Sequence, residues 1–179
     1  MVRGRKFIIT GRPGSGKSTC VAALIQGLRE RGVRVGGIRT PEVREGGIRT
    51  GFLVEDILTG ERELFASTTF SGGPSVSKYV VDLGRFESVA IPALIRAAEE
   101  CEVIVIDEIG KMELLSRRFI EQVRRIWYSD VIAVGTAPLV RISEVEELKR
   151  LSEVIHIERG HSEEVARYLL DKICLHLST

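Results

Sequence analysis

The chain has 179 residues, 44% of them hydrophobic and 28% charged, with a formal net charge of +1. That length supports one core rather than two. The composition excludes disorder, collagen-like repeats and long coiled coils. A charge near zero leaves no overall field to draw the chain onto nucleic acid or anionic lipid.

In chain order, Lys6 to Thr10 is a short apolar run of strand type, broken by the glycine-rich segment Gly11 to Gly16. The spacing of Val21, Leu24, Ile25 and Leu28 predicts a helix over Ser18 to Glu30, with Gly32 as its stop. Val33 to Ile38 reads as the next strand. Strand, glycine loop, helix and strand make a βαβ unit, which predicts an α/β protein with a mainly parallel sheet covered by helices.

The rhythm changes between Thr40 and Tyr79. Gly46-Gly47 and Thr59-Gly60 punctuate runs at Ile48 to Val54 and Glu63 to Ala66 that are too short for helices. An antiparallel β meander over residues 40–79, inserted into the sheet or added to its edge, is expected. Lys78 to Asp82 reads as a further strand. Val89 to Glu100 is expected to be helical, with Pro92 in its first turns, where proline is tolerated.

The α/β alternation then resumes with a strand at Val103 to Ile106 and a helix at Ser116 to Trp127. A strand at Val131 to Gly135, a helix at Ser143 to Leu151 and a strand at Val154 to Ile157 follow. Ser162 to Leu177 closes the chain as an amphipathic helix whose Ser-Glu-Glu opening suits an N-terminal cap. No repeat or linker intervenes, so residues 1–179 are expected to form one domain.

Cys20, Cys101 and Cys174 are far apart and odd in number, matching neither a disulfide framework nor a metal-ligand spacing. They are expected to fill apolar space in a reducing compartment. The apolar run near the start, Phe7 to Ile9, is too short for a signal sequence, and nowhere do 18 apolar residues run together. A soluble cytoplasmic protein, without a membrane partner, is the expectation. The chain has no asparagine, only Gln26 and Gln122 as glutamines, and far more Arg than Lys, a balance typical of proteins from hot environments.

Gly11-Arg12-Pro13-Gly14-Ser15-Gly16-Lys17-Ser18 fits G-x-x-x-x-G-K-[ST] without a mismatch. Those four fixed positions recur by accident in roughly one chain of this length per hundred. Here they sit between a strand and a helix, the context that gives the motif meaning. Binding a triphosphate needs several backbone N–H groups aimed at one point, and glycine permits the backbone angles and the close approach. The helix adds its positive end. Lys17 is expected to reach the β- and γ-phosphates, Ser18 to ligate Mg²⁺, and Thr19 to hydrogen-bond the α-phosphate.

Val103 to Ile106 runs straight into Asp107-Glu108. A strand buried on both faces is continuously apolar, and ligands bind at its carboxyl end. Asp107 is thus expected beside the phosphate loop, holding Mg²⁺ directly or through water. Glu108 is expected to orient and deprotonate an attacking water. The plainer alternative is a solvated acidic turn after a core strand. Lys111 can neutralise charge on the γ-phosphate or pair with Glu113 at the surface, and Glu113 can orient Lys111.

Arg29, Arg31, Arg34, Arg39, Arg44 and Arg49 crowd one region, but Glu30, Glu42 and Glu45 are interleaved and stacking aromatics are scarce. A salt-bridged meander is favoured over a nucleic-acid surface, which stays possible. His156, His161 and His176 suggest no metal cluster. Arg159 can approach a nucleotide from the end of the last strand.

The phosphate loop and the run Asp107-Glu108-Ile109-Gly110-Lys111-Met112-Glu113-Leu114 resemble the THEP1 nucleoside-triphosphatase family. So do Glu42 to Gly47 followed by Gly51-Phe52, Lys78 to Asp82, and Gly135-Thr136. The likeness spans most of the chain. It implies a P-loop NTPase on a RecA-like, mainly parallel sheet covered by helices on both faces. It also implies slow, Mg²⁺-dependent hydrolysis of several nucleoside triphosphates (ATP, GTP, CTP, UTP and TTP). It keeps Arg44 as a phosphate-facing candidate. Two stretches depart from the family pattern: Ile38-Arg39 where Phe-Tyr is usual, and Glu158-Arg159 where Asn-Arg is common.

A chain without asparagine has no Asn-Lys-x-Asp element to read guanine, which argues against a Ras-like GTPase. Alternatives to a broad triphosphatase are a small-molecule or nucleotide kinase with the same phosphate site, and a nucleotide-dependent binding switch. The oligomeric state is not legible.

Overall fold

The structure is a computed structural model and describes residues 5–178; residues 1–4 and 179 of the expected domain, with the basic start of the chain, lie outside them. The first βαβ unit is β1 (Lys6–Gly11), α1 (Lys17–Glu30) and β2 (Val35–Arg39). A meander follows: β3 (Glu42–Glu45), β4 (Ile48–Asp56), β5 (Arg62–Ser67), β6 (Ser75–Val76) and β7 (Tyr79–Val81). Then come α2 (Leu83–Glu100), β8 (Val103–Asp107), α3 (Arg117–Trp127) and β9 (Ile132–Pro138). The chain closes with α4 (Ser143–Arg150), β10 (Glu153–His156) and α5 (Ser162–Leu177).

The strands form one sheet in the order β10-β1-β9-β8-β2-β4-β5-β7-β6, with β3 paired to β4. From β10 to β2 every pairing is parallel. Beyond β2 the meander continues the sheet antiparallel. The strand repeat of two sorts the central side chains between two cores. Phe7, Ile9, Val103 and Val105 meet Leu24 and Leu28 of α1 and Leu169 of α5 on one face. Ile8, Ile104 and Ile106 meet Leu94 of α2, Phe119 of α3 and Leu148 of α4 on the other. Burial on both faces explains why these strands are apolar throughout.

Helix α2 starts at Leu83, six residues before the predicted start, so Pro92 lies in its interior rather than in its first turns. The side chain of Asp82 caps the helix by accepting the Arg85 N–H (3.0 Å). A stripe of Phe86, Ala90, Ala93, Leu94 and Ala97 then holds it on the sheet, outweighing the hydrogen bond that proline forfeits. Helix α5 begins where expected, but its N-cap is His161 and no side chain caps it. The Ser162 hydroxyl instead donates to the Gly16 carbonyl (3.0 Å) across the molecule. Strand β9 runs three residues further than the sequence suggested, ending at Pro138 beside Gly11.

Two features fix the meander. Asp56, 1% exposed, accepts from Arg96 of α2 at 2.5 Å. Its other oxygen accepts the Leu58 N–H (2.9 Å), closing the turn after β4. Behind the sheet the Phe86 ring packs tilted against Phe65 and edge-on to Phe119, with centroid separations of 4.9 and 5.4 Å. Phe86→Ala should therefore cost about 3–5 kcal/mol of stability, seen as a lower denaturant midpoint in urea unfolding.

Candidate active site

Three strand ends build the site. Gly11 pairs with Pro138, Ile106 with Gly135, and Arg39 with Asp107, so the carboxyl ends of β1, β9, β8 and β2 stand at one edge. There they border a cleft of about 690 Å³. Its lining includes Pro13, Gly14, Ser15, Gly16, Lys17, Ser18 and Thr19 from the loop, with Asp107, Glu108 and Lys111 opposite. Gly11 and Arg12 lie outside it: Gly11 is the buried end of β1, and Arg12 is exposed, its carbonyl accepting the Ser15 N–H (3.0 Å).

The loop's glycines are needed for their geometry. Gly14 and Gly16 have φ of +78° and +98°, the left-handed region that side chains disfavour. A Cβ on Gly16 would also meet the Ser162 Oγ at 2.1 Å. Gly16 is the N-cap of α1 and no side chain caps that helix, so its first N–H groups face the cleft as anion donors. Lys17 Nζ donates to the Gly11 carbonyl (2.7 Å) and lies 3.8 Å from Glu108 Oε2.

Asp107 is only 6% exposed, and its Oδ1 accepts from the buried Thr136 hydroxyl (2.7 Å) on β9. Glu108 follows on the next peptide, half-buried. Burial pushes its carboxyl above the usual carboxylate range; the Lys17 ammonium pulls it back and the Asp107 charge adds to the rise.

Behind Glu108 lies a second carboxyl. Glu113, in a single 3-10 turn, is 5% exposed and does not orient Lys111, which is exposed. Its Oε1 accepts the Gly110 N–H (3.1 Å) and its Oε2 accepts from the Thr40 hydroxyl (2.9 Å). Lining the same cleft on the side of the meander are Arg39, Arg49 and Phe52. The Arg49 guanidinium stands 5.4 Å from the Phe52 ring and donates to the Tyr79 hydroxyl (2.8 Å). Arg44 does not face the cleft: on exposed β3, it donates to Glu42 (2.6 Å) and the Gly47 carbonyl (2.7 Å).

Sequence reasoning missed Thr40, Arg39 and Arg49 as parts of this cleft, and noted Thr136 only as part of a family pattern. A threonine following the apolar end of a predicted central strand was the available signal for Thr136. Arg39 and Thr40 follow the end of a predicted central strand in the same way, whereas nothing local marked Arg49, which the pairing of the meander places.

The donor set suits a divalent cation. Ser18 and Asp107 both line the cleft and offer hard oxygens, and Thr136 steadies one oxygen of Asp107. Among the described residues no group of three His, Cys, Asp or Glu could hold a metal. A cation here would share its remaining sites between water and phosphate oxygens.

A phosphate loop ahead of a helix, on a mainly parallel sheet with carboxylates at the same edge, defines a P-loop NTPase. Comparison with known proteins narrows the class. A family profile described as NTPase matches residues 6–170. The chain is 69% identical over 168 residues to the nucleoside-triphosphatase THEP1 of Korarchaeum cryptofilum (strain OPF8), covering 94% of this chain and 86% of that one. Against the THEP1 of Thermofilum pendens (strain DSM 2475 / Hrk 5) it is 48% identical over 132 residues, 74% and 72% of the two lengths. The crystal structure of THEP1 from the hyperthermophile Aquifex aeolicus superposes with a TM-score of 0.82 at 34% identity, over 94% of this chain and 98% of that one. The solution structure of a human cancer-related nucleoside triphosphatase gives 0.81 at 34% identity, over 98% and 99%. The chain belongs to the THEP1 family of nucleoside-triphosphatases.

Glu113 yields a pH test. Burial, with the Glu108 charge beside it, raises its carboxyl to about 8 from the ordinary 4.5. A group with a higher folded than unfolded pKa binds more protons when folded throughout that interval, so stability should fall as pH rises from about 4.5 to about 8. Glu113→Gln should flatten the profile. Its stability should gain on the wild type by up to about 1.4 kcal/mol per pH unit in urea unfolding across that range.

Proposed function

We propose that the chain is a Mg²⁺-dependent triphosphatase that cleaves the γ-phosphate of ATP, GTP, CTP, UTP and TTP slowly, with little base selectivity, in the cytoplasm. One observation carries the reading. Glu108, its carboxyl raised by burial, faces Lys17 at 3.8 Å across the mouth of the loop. A carboxylate so placed borders the region where a γ-phosphate and its attacking water meet.

The loop from Gly11 to Thr19 binds the phosphates, with the backbone N–H groups and Lys17 as donors. Glu108 aligns water and takes its proton. Mg²⁺ held by Ser18 and Asp107 would draw charge off the phosphate oxygens. Lys111, exposed at the cleft, meets charge developing on the γ-phosphate. Pro138 and Val140, apolar and at the rim, offer no hydrogen-bond code for a base, which accords with broad selectivity.

Residues 1–179 act as one domain in this reading, with residues 40–79 as its insertion. Nucleoside triphosphates are the partners. A nucleic-acid surface is not favoured, because Arg44, Arg49, Arg62 and Arg85 are occupied by carboxylates. Among the described residues no helix is long and apolar enough to cross a membrane.

Phosphate release with Mg²⁺ and no acceptor tests the reading. Wild type should release phosphate from all five triphosphates, and Lys17→Ala should abolish release. Glu108→Gln should keep nucleotide binding while kcat falls about a hundredfold or more. Tight binding without release in the wild type would point instead to a kinase or a switch.

A further inference from the structure

The turn that carries Glu108 is held from behind by one buried side chain. Glu113 accepts the Gly110 N–H with one oxygen and meets the Thr40 hydroxyl with the other. Thr40 grips the same turn twice more. Its N–H donates to the Asp107 carbonyl (2.6 Å), and its Oγ1 accepts the Glu108 N–H (3.2 Å). The Oγ1 also lies 3.2 Å from that same Asp107 carbonyl. The peptide before Glu108 and the Ile109–Gly110 peptide beyond it are therefore held by Thr40 and Glu113. The peptide between them is held by the Thr136 carbonyl, which accepts the Ile109 N–H (2.8 Å).

Fixing a turn does not by itself call for a carboxyl group in this place. Burying one is costly, and among the described residues no cation pairs with Glu113. Its position favours more than scaffolding. A Cβ on Gly110 would lie 2.7 Å from Glu108 Oε1 and 3.0 Å from Glu113 Oε1, so both carboxyl groups crowd the same small residue. The other oxygen of Glu108, Oε2, lies 3.8 Å from Lys17 Nζ.

We infer that Glu113, acting through Thr40 and Gly110, is a positioning residue that sets the orientation of Glu108 for attack on the γ-phosphate. This rests on the reading of Glu108 as the base. Glu113 does not touch nucleotide; its role is to hold the base at its working angle.

The test compares Glu113→Leu, Glu113→Gln, Thr40→Val, Thr40→Ser and Glu108→Gln. Each is measured for kcat and KM with MgATP, for affinity toward a nonhydrolysable ATP analogue, and for melting temperature. Glu113→Leu keeps the volume and loses both hydrogen bonds. Its kcat should fall about tenfold to a hundredfold, the scale of a misplaced catalytic group, with analogue affinity unchanged. Thr40→Val should do the same.

Glu113→Gln retains an oxygen for Gly110 and an N–H for the Thr40 hydroxyl, so it should keep most of the wild-type kcat, as should Thr40→Ser. Thr40→Val, at a half-buried position, decides the matter if Glu113→Leu does not fold. Wild-type kcat in Thr40→Val and in folded Glu113→Leu, beside an inactive Glu108→Gln, would overturn the inference alone. Joint loss of kcat and analogue affinity would overturn it too, as the mark of a merely structural role. Full turnover by Glu108→Gln would remove the base itself, and the inference with it.

Discussion

A strand covered on both faces has nowhere to put a charge except at its end. Strand β8 is buried from Val103 to Asp107, and only where it runs out do carboxylates meet partners able to hold them. Asp107 survives at 6% exposure because Thr136 donates to it from the neighbouring strand. Parallel pairing of β8 with β9 and β2, and of β9 with β1, then fixes which other groups share that edge. The phosphate loop, the threonine and the acidic pair are neighbours because four strands end together, although sequence separates them widely.

The meander works on the same edge from the other side. Its last residues before β3 include Thr40, which joins the end of β2 to the turn after β8 through the Asp107 carbonyl. Its strands β4 and β5 are tied to the body of the protein by the Asp56–Arg96 pair and by the phenylalanine cluster. The antiparallel extension is therefore braced against α2, and the wall it contributes, with Arg49 and Phe52, has a fixed place across from the loop. Arg49 is occupied there by Tyr79 and Glu42, which keeps its guanidinium against the wall.

What the sequence made legible was what a short stretch decides alone. The phosphate loop needs its own glycines and its own lysine, so eight consecutive residues announce it. The run into Asp107-Glu108 is equally local, since burial on both faces demands apolar residues in a row. Glu113 was misjudged because a carboxylate is exposed by default, and only the return of β2 beside β8 buries it against Thr40. Helix α2 was begun too late because Pro92 outweighed Asp82, whose capping role depends on one side-chain hydrogen bond. Arg44 was preferred to Arg49 because it lies in the stretch that resembles the family. The two are opposite each other across the hairpin, and their partners separate them. Glu42 and the Gly47 carbonyl hold Arg44 at the surface, while Arg49, at the cleft, reaches Tyr79.

The contact between the Ser162 hydroxyl and the Gly16 carbonyl has a temporal meaning. It spans 146 residues, joining the first loop of the chain to the start of its last helix. Leu170 of that helix also lies against Gly27 of α1, where a Cβ would come within 2.8 Å. A nascent chain emerging from the ribosome therefore carries the whole phosphate-loop motif long before it carries the helix that braces it. The loop is thus completed only when a segment 146 residues further along has folded against it, and contacts of such long range close slowly.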